Sequence, residues 1–201
     1  MSVASRSSEF PLVGRAEELA LLRSVRAAAM SRSAVVSGPA GVGKSRLASA
    51  AASDAAADGW ATVAIRGSAG LSGVPLGSLR TVLGITGPNE LAELTAAVEG
   101  ALLGLRSRKG LVVLADDCQQ FDDATAGLLH QLVAGGSIVV IATARSGTQL
   151  PQAIVDLWKD GLAERLELQN LSRLETTQLL TRFLGGNVQD SSANRMWHVT
   201  A

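Results

Sequence analysis

Eight consecutive residues constrain this chain more than any others: Gly38-Pro39-Ala40-Gly41-Val42-Gly43-Lys44-Ser45. They read G-x-x-x-x-G-K-S, a phosphate-cradling pattern. Its glycines let the backbone turn tightly and bring N–H groups close to phosphate oxygens. Lys44 can place its ammonium between β- and γ-phosphates, and Ser45 can give its hydroxyl to Mg²⁺. The flanks supply the setting that the pattern requires. Ser33–Ser37 is short, apolar and β-branched, which predicts a strand, and Arg46–Ala52 is a good helix former. The positive dipole end of that helix adds to the anion site.

A second signal lies downstream. Leu111–Ala115 is an unbroken apolar run, the mark of a strand buried on both faces, and it ends in Asp116-Asp117. Ligands of open parallel sheets sit at the carboxyl ends of the strands. Asp116 is therefore expected to bind Mg²⁺, directly or through water, and Asp117 to orient or deprotonate an attacking water. A further apolar strand, Ile138–Ala142, runs into Thr143-Ala144-Arg145, where Arg145 can reach a γ-phosphate. The catalytic set expected is Lys44, Asp117 and Arg145, with Ser45 and Asp116 on the metal.

The remaining stretches alternate strand and helix. The first residues read as a loose tail, and Phe10–Arg15 leads into a helix with Glu17 and Glu18 in its first turn and Leu19, Leu22 and Val25 or Arg26 on one side. Asp58-Gly59 ends the Ala-rich helix, and Thr62–Ile65 reads as a strand. Residues 67–78 contain four glycines and a proline and are expected to form a long loop before a short helix over Leu79–Ile85. Pro88 is placed near the first position of the next helix, whose apolar face is Leu91, Leu94, Val98, Leu102 and Leu105. Its basic end, Arg106, Arg108 and Lys109, suits a solvated helix terminus.

Asp122 or Asp123 is expected to cap a helix that turns Ala124, Leu128, Leu129 and Leu132 inward. Cys118 reads as buried filler, and His130 as structural. Ala153–Asp160 is a helix and Leu166–Leu168 a short strand near an edge. Ser172-Arg173-Leu174-Glu175 has capping-box spacing, with Leu174, Leu179, Leu180 and Phe183 apolar and Gly185-Gly186 as the stop. Ser191 or Ser192 is expected to open a last helix through Met196 and Trp197. That helix meets no stop signal before Ala201, as in a chain cut inside a helix.

Composition narrows the function classes. Eighteen basic residues balance 18 acidic ones, so no bulk charge draws the chain to DNA or to an anionic membrane. Aromatics are 3% of residues, with no Tyr, too few for a base-stacking platform. A single cysteine excludes an internal disulfide and fits a reducing, cytoplasmic setting. No apolar run approaches the ~18 residues of a membrane span.

These motifs resemble the nucleotide-binding domain of STAND-type, AAA-related ATPases, in particular the N-terminal ATPase of large bacterial transcriptional regulators of the LuxR class. Leu12-Val13-Gly14-Arg15 with Glu17 or Glu18 resembles the family's entry motif, which borders the adenine. Val74-Pro75-Leu76 resembles its proline loop. Asp116-Asp117 with Phe121-Asp122 resembles its extended Walker B segment, and Thr143-Ala144-Arg145 its strand-end Thr-x-Arg. Leu168–Leu180 resembles the opening of its helical lid. Phe121 stands where that family often has Trp, and Asn170 where it often has Pro.

The resemblance implies an α/β three-layer P-loop NTPase fold with a parallel sheet of about five strands, one strand lying between the P-loop strand and the Walker B strand. Residues 1–9 are then a tail, 10–170 the nucleotide-binding domain and 171–201 part of a lid. The nucleotide-binding set is Val13, Arg15, Gly38, Pro39, Ala40, Gly41, Val42, Gly43, Lys44, Ser45 and Arg46. ATP or ADP with Mg²⁺ are the expected cofactors, and the absence of a guanine-reading Asn-Lys-x-Asp string favours adenine. The expected function is a slowly hydrolysing ATP switch in a transcriptional regulator, with DNA bound only through another domain and nucleotide-dependent homo-oligomers in the parent protein. Two other readings are a nucleotide-holding interaction module without useful turnover and a DNA-remodelling AAA ATPase.

Overall fold

A computed structural model describes residues 12–27, 33–87 and 90–184. Five strands form its sheet: β1 (Ser33–Gly38), β2 (Ala61–Arg66), β3 (Leu111–Asp116), β4 (Val139–Arg145) and β5 (Ala163–Glu167). All neighbours pair in parallel, in the order β2-β3-β4-β1-β5. The strand expected between the P-loop strand and the Asp-Asp strand is β4. Parallel strands need crossover connections, and seven helices supply them or flank them: α1 (Ala16–Ala27), α2 (Lys44–Ala57), α3 (Gly77–Leu83), α4 (Leu91–Gly104), α5 (Asp123–Ala134), α6 (Gln152–Lys159) and α7 (Arg173–Leu184).

Strand alternation divides the interior into two cores. Ala34, Val36, Val112, Leu114, Val139 and Ile141 pack with Leu22 and Val25 of α1 and Leu47, Ala48 and Ala51 of α2. Val35, Val113, Ala115, Val140 and Ala142 face the other way, onto Leu79, Leu94, Val98, Leu129, Ile154 and Leu157. The result is the three-layer α/β arrangement expected. Every residue of β1 and β3 is buried, whereas β2 and β5 alternate, as edge strands do.

Several details differ from the sequence reading. Strand β4 extends to Arg145, so Thr143 and Ala144 belong to the ladder, paired with Val36 and Ser37. Helix α4 starts at Leu91, with Glu90 in extended backbone before it, rather than at Pro88. Its buried stripe is only Leu94, Val98 and Leu102, because Leu91 and Leu105 fall at its two ends and are exposed. Helix α7 buries none of its residues, and Leu174 and Phe183 are exposed. The capping box expected at its start is formed: Ser172 N–H donates to Glu175 Oε2 (2.7 Å) and Glu175 N–H to Ser172 Oγ (3.3 Å). The tail, Phe10, Pro88, the Gly185-Gly186 stop and the helix through Met196 and Trp197 lie outside the described residues. Among the described residues, no helix is long and apolar enough to cross a membrane.

Candidate functional site

The sequence β1, glycine loop, α2 carries the chain over the carboxyl edge of the sheet. Gly41 (φ 79°) and Gly43 (φ 99°) both use left-handed backbone, which a side chain would strain, and a methyl group on either would meet nothing. The loop is thus an open cradle of backbone above the start of α2. Gly43 occupies the N-cap position of α2 and makes no side-chain cap, so the helix's first N–H groups face that cradle.

Lys44 is buried within the first turn of α2 and turns back under the loop. Its Nζ donates to Gly38 O (2.9 Å) and Pro39 O (2.6 Å). Burial, the largest influence, lowers its pKa, and the Arg145 charge pushes the same way against the pull of Asp117 and Asp116. Lys44 and Arg145 therefore feel each other, although one comes from α2 and the other from the end of β4. Arg145 itself is exposed at the strand end.

The two acidic residues occupy different environments. Asp116 is the last residue of β3 and is buried. Its Oδ1 accepts from Ser45 Oγ (2.6 Å) and Thr143 Oγ1 (2.6 Å). Its Oδ2 accepts from Arg66 Nε (3.0 Å) and one terminal guanidinium nitrogen (2.6 Å). Burial alone would raise the Asp116 pKa, but the hydrogen bonds from Ser45, Thr143 and Arg66 outweigh it and hold the carboxyl below its ordinary value. Asp117 leaves the strand in left-handed backbone (φ 57°, ψ 49°), a conformation that a non-glycine residue holds only when its surroundings enforce it. The enforcement is visible. Thr143 Oγ1 accepts from Asp117 N–H (3.0 Å), and Gln119 Nε2 donates to Asp117 Oδ1 (3.1 Å). Gly67 packs so closely that a methyl group there would collide with Asp117 O.

The fold is that of a P-loop NTPase. Residues 11–86 match the AAA ATPase domain family. Among solved structures, the chain is similar to the Aeropyrum pernix ORC1 protein in complex with DNA, at TM-score 0.65 and 16% identity over 91% of this chain and 52% of that one. It is similar to AMPPCP-bound DnaA from Aquifex aeolicus, at TM-score 0.59 and 15% identity over 92% and 57%. It is also similar to the Thermotoga maritima RuvB Holliday junction branch migration motor, at TM-score 0.56 and 19% identity over 90% and 55%. Identities at this level reflect a shared fold, and the chain spans little more than half the length of each of these proteins. No curated protein matches the sequence.

Within this P-loop NTPase fold, the expected residues fall into two groups. Gly38–Ser45, Asp116, Asp117 and Arg145 gather at one edge of the sheet. Arg46 follows in the first turn of α2, half-buried. Val13 and Arg15 come from the entry to α1. Val13 is buried, and Arg15 donates to Glu18 Oε1 (2.9 Å) and Gln169 O (2.5 Å). That last bond ties the entry segment to the residues that precede α7. Cys118 is fully buried in a short 3₁₀ turn, where burial pushes its thiol up, in keeping with a filler role.

The sequence reading missed three members of the site. Arg66, at the end of edge strand β2, pairs with Asp116. Thr143 bonds both Asp116 and Asp117. Gln119 accepts from Arg145 N–H (3.2 Å) as well as donating to Asp117. Only Thr143 carried a signal, as part of Thr143-Ala144-Arg145. The donor set fits a nucleotide phosphate with a divalent cation: an open N–H cradle, a buried ammonium, a hydroxyl and a carboxylate 2.6 Å apart, and the strand-end guanidinium of Arg145. Among the described residues, no group of three or more His, Cys, Asp and Glu could hold a metal alone. A cation at Ser45 and Asp116 would therefore share oxygens with phosphate and water.

Proposed function

We propose that this chain is an ATP-binding switch domain that hydrolyses ATP slowly with Mg²⁺. The observation that carries the proposal is the convergence of Lys44, Ser45, Asp116, Asp117 and Arg145 on the open glycine cradle, from α2, β3 and β4. The backbone N–H groups of Gly38–Arg46, Pro39 excepted, would hold the phosphates, with Val13 and Arg15 bordering the base. Lys44 would leave the Gly38 and Pro39 carbonyls for phosphate oxygens. Ser45 and Asp116 would hold Mg²⁺, which when bound neutralises phosphate charge and orients the leaving group. Asp117, fixed by Thr143 and Gln119, would orient the attacking water or take its proton. Arg145 would sense the γ-phosphate, and its loss on hydrolysis would be relayed along the segment from Leu168 into α7.

Lys44 donates to carbonyls of its own loop and Ser45 to Asp116, contacts that these groups would exchange for phosphate and metal. We place the domain in a transcriptional regulator of the LuxR class, as the sequence resemblance implies, with DNA contacted by a separate domain and nucleotide-dependent self-association in the full protein. Nucleotide-stimulated release of phosphate, abolished by Asp117→Asn, tests the catalytic part. Nucleotide binding with no phosphate release in either protein would favour the nucleotide-holding module instead.

A second reading has one observation in its favour: the ORC1 structure is a complex with DNA, and RuvB is a branch migration motor. A DNA-remodelling ATPase would bind DNA in a strongly salt-dependent way. The balanced charge of this chain predicts no such binding.

A further inference from the structure

Arg66 has no part in the function proposed above, yet it makes the most exposed contact with Asp116. We propose that Arg66 is a place-holding cation at the metal site. Its guanidinium covers the Asp116 oxygen that would otherwise face a divalent cation, so metal entry and Arg66 departure are one exchange. The inference rests on the assignment of Asp116 to the metal.

The geometry gives each oxygen of Asp116 a different partner set. Oδ1 is held from within by Ser45 and by fully buried Thr143. Oδ2 receives both Arg66 bonds, at 2.6 and 3.0 Å. Four donors thus saturate the carboxylate, which has about four lone-pair positions. A cation can coordinate the carboxylate directly only when a donor leaves. Thr143 is locked in β4, but the Arg66 side chain is 68% exposed where that of Asp116 is 8%. The arginine regains water on leaving, so it is the removable partner.

Strand register makes the pairing durable. Arg66 and Asp116 are direct partners across β2 and β3. The Arg66 backbone is anchored on its own account, its carbonyl accepting from Ser78 Oγ (3.0 Å) while the next amide, Gly67 N–H, donates to Asp116 O (2.8 Å). The exchange therefore needs a side-chain rotation and no strand movement. Until that exchange, Arg66 holds the Asp116 carboxylate aimed at the site.

The test is a titration of the chain with Mn²⁺, read as paramagnetic broadening of the Ser45 and Gly67 amide signals, without nucleotide and again with ADP. Arg66→Gln should lower the midpoint Mn²⁺ concentration by about two- to fivefold, the size expected for removal of a largely exposed competing pair. Arg66→Lys, which keeps the charge but not the fork, should fall between. The shift should vanish on an Asp116→Asn background. An unchanged or raised midpoint in Arg66→Gln would overturn the proposal, as would a fall that persists with Asp116→Asn or no broadening at either amide in Arg66→Gln. Well-dispersed amide spectra confirm that each variant is folded. Failure of every form to bind ADP would defeat the nucleotide reading, while the nucleotide-free titration would still judge Arg66.

Discussion

Thr143 and Asp116 stand on neighbouring parallel strands, and Thr143 Oγ1 donates to Asp116 Oδ1 at 2.6 Å. The same hydroxyl accepts from Asp117 N–H at 3.0 Å, so one buried oxygen holds the Asp116 carboxylate and the Asp117 backbone together. Thr143→Val keeps the shape and removes both bonds, leaving a part-buried N–H without its partner. The expected loss of stability is about 1–3 kcal/mol by urea unfolding, and Thr143→Ser should recover much of it. Equal stability of Val and Thr variants would show that the bonds carry no net weight.

Acid should reveal the Asp116 network. Its folded pKa lies below the ordinary 3.8, so its hydrogen bonds add stability that is fully present above that value. The stability is lost as pH falls through the lower folded value, because the unfolded chain takes up the proton first. Asp116→Asn should flatten that part of the stability–pH curve between pH 5 and 2. An identical acid slope in both proteins would contradict the assignment.

Asp122 predicts a local effect distinct from the phosphate site. Its Oδ1 accepts from Thr125 N–H, capping α5, and from Leu76 N–H (2.9 Å each), while Thr125 Oγ1 donates to Oδ2 (2.6 Å). It thereby pins the loop after β2, where Leu76 has left-handed backbone (φ 56°), to the start of α5. Asp122→Ala should cost about 1–3 kcal/mol and speed hydrogen exchange at the Leu76 amide. Unaltered exchange there would exclude the pinning role.

Two glycines should respond in opposite directions to alanine. At Gly67 the added methyl meets Asp117 O, so Gly67→Ala should lower the melting temperature and disturb the Asp117 turn. At Gly100, inside α4, a methyl meets nothing, and Gly100→Ala should stabilise by about 0.5–1 kcal/mol. Thermal unfolding of the two variants measures both signs. A Gly67→Ala protein as stable as the parent would show that β2 does not press on the Asp117 turn.

The layered sheet was legible because its strongest determinants are local. β3 is an unbroken apolar run up to Asp116, β1 is a short apolar, β-branched stretch, and the glycine loop fixes the turn between β1 and α2. Asp116, Asp117 and Arg145 were readable because they end such strands. Arg66 was not, since an exposed arginine ending an alternating edge strand looks like any solvated residue until β2 is placed beside β3. Leu91 and Leu105 misled for the reverse reason. They keep helical spacing, but they lie where α4 begins and just past its end, beyond the reach of the core. Leu174 and Phe183 of α7 follow a similar pattern, on a helix that the sheet does not cover.

Lys44 and its loop are proposed to bind a nucleotide. Calorimetric titration with ATP and ADP, with and without Mg²⁺, on the parent chain and Lys44→Ala tests it most directly. The parent should bind saturably, and the variant should show at least about a tenfold weaker affinity, the effect of removing a charged hydrogen-bond donor. No binding by the parent, or equal affinity in the two proteins, would contradict it.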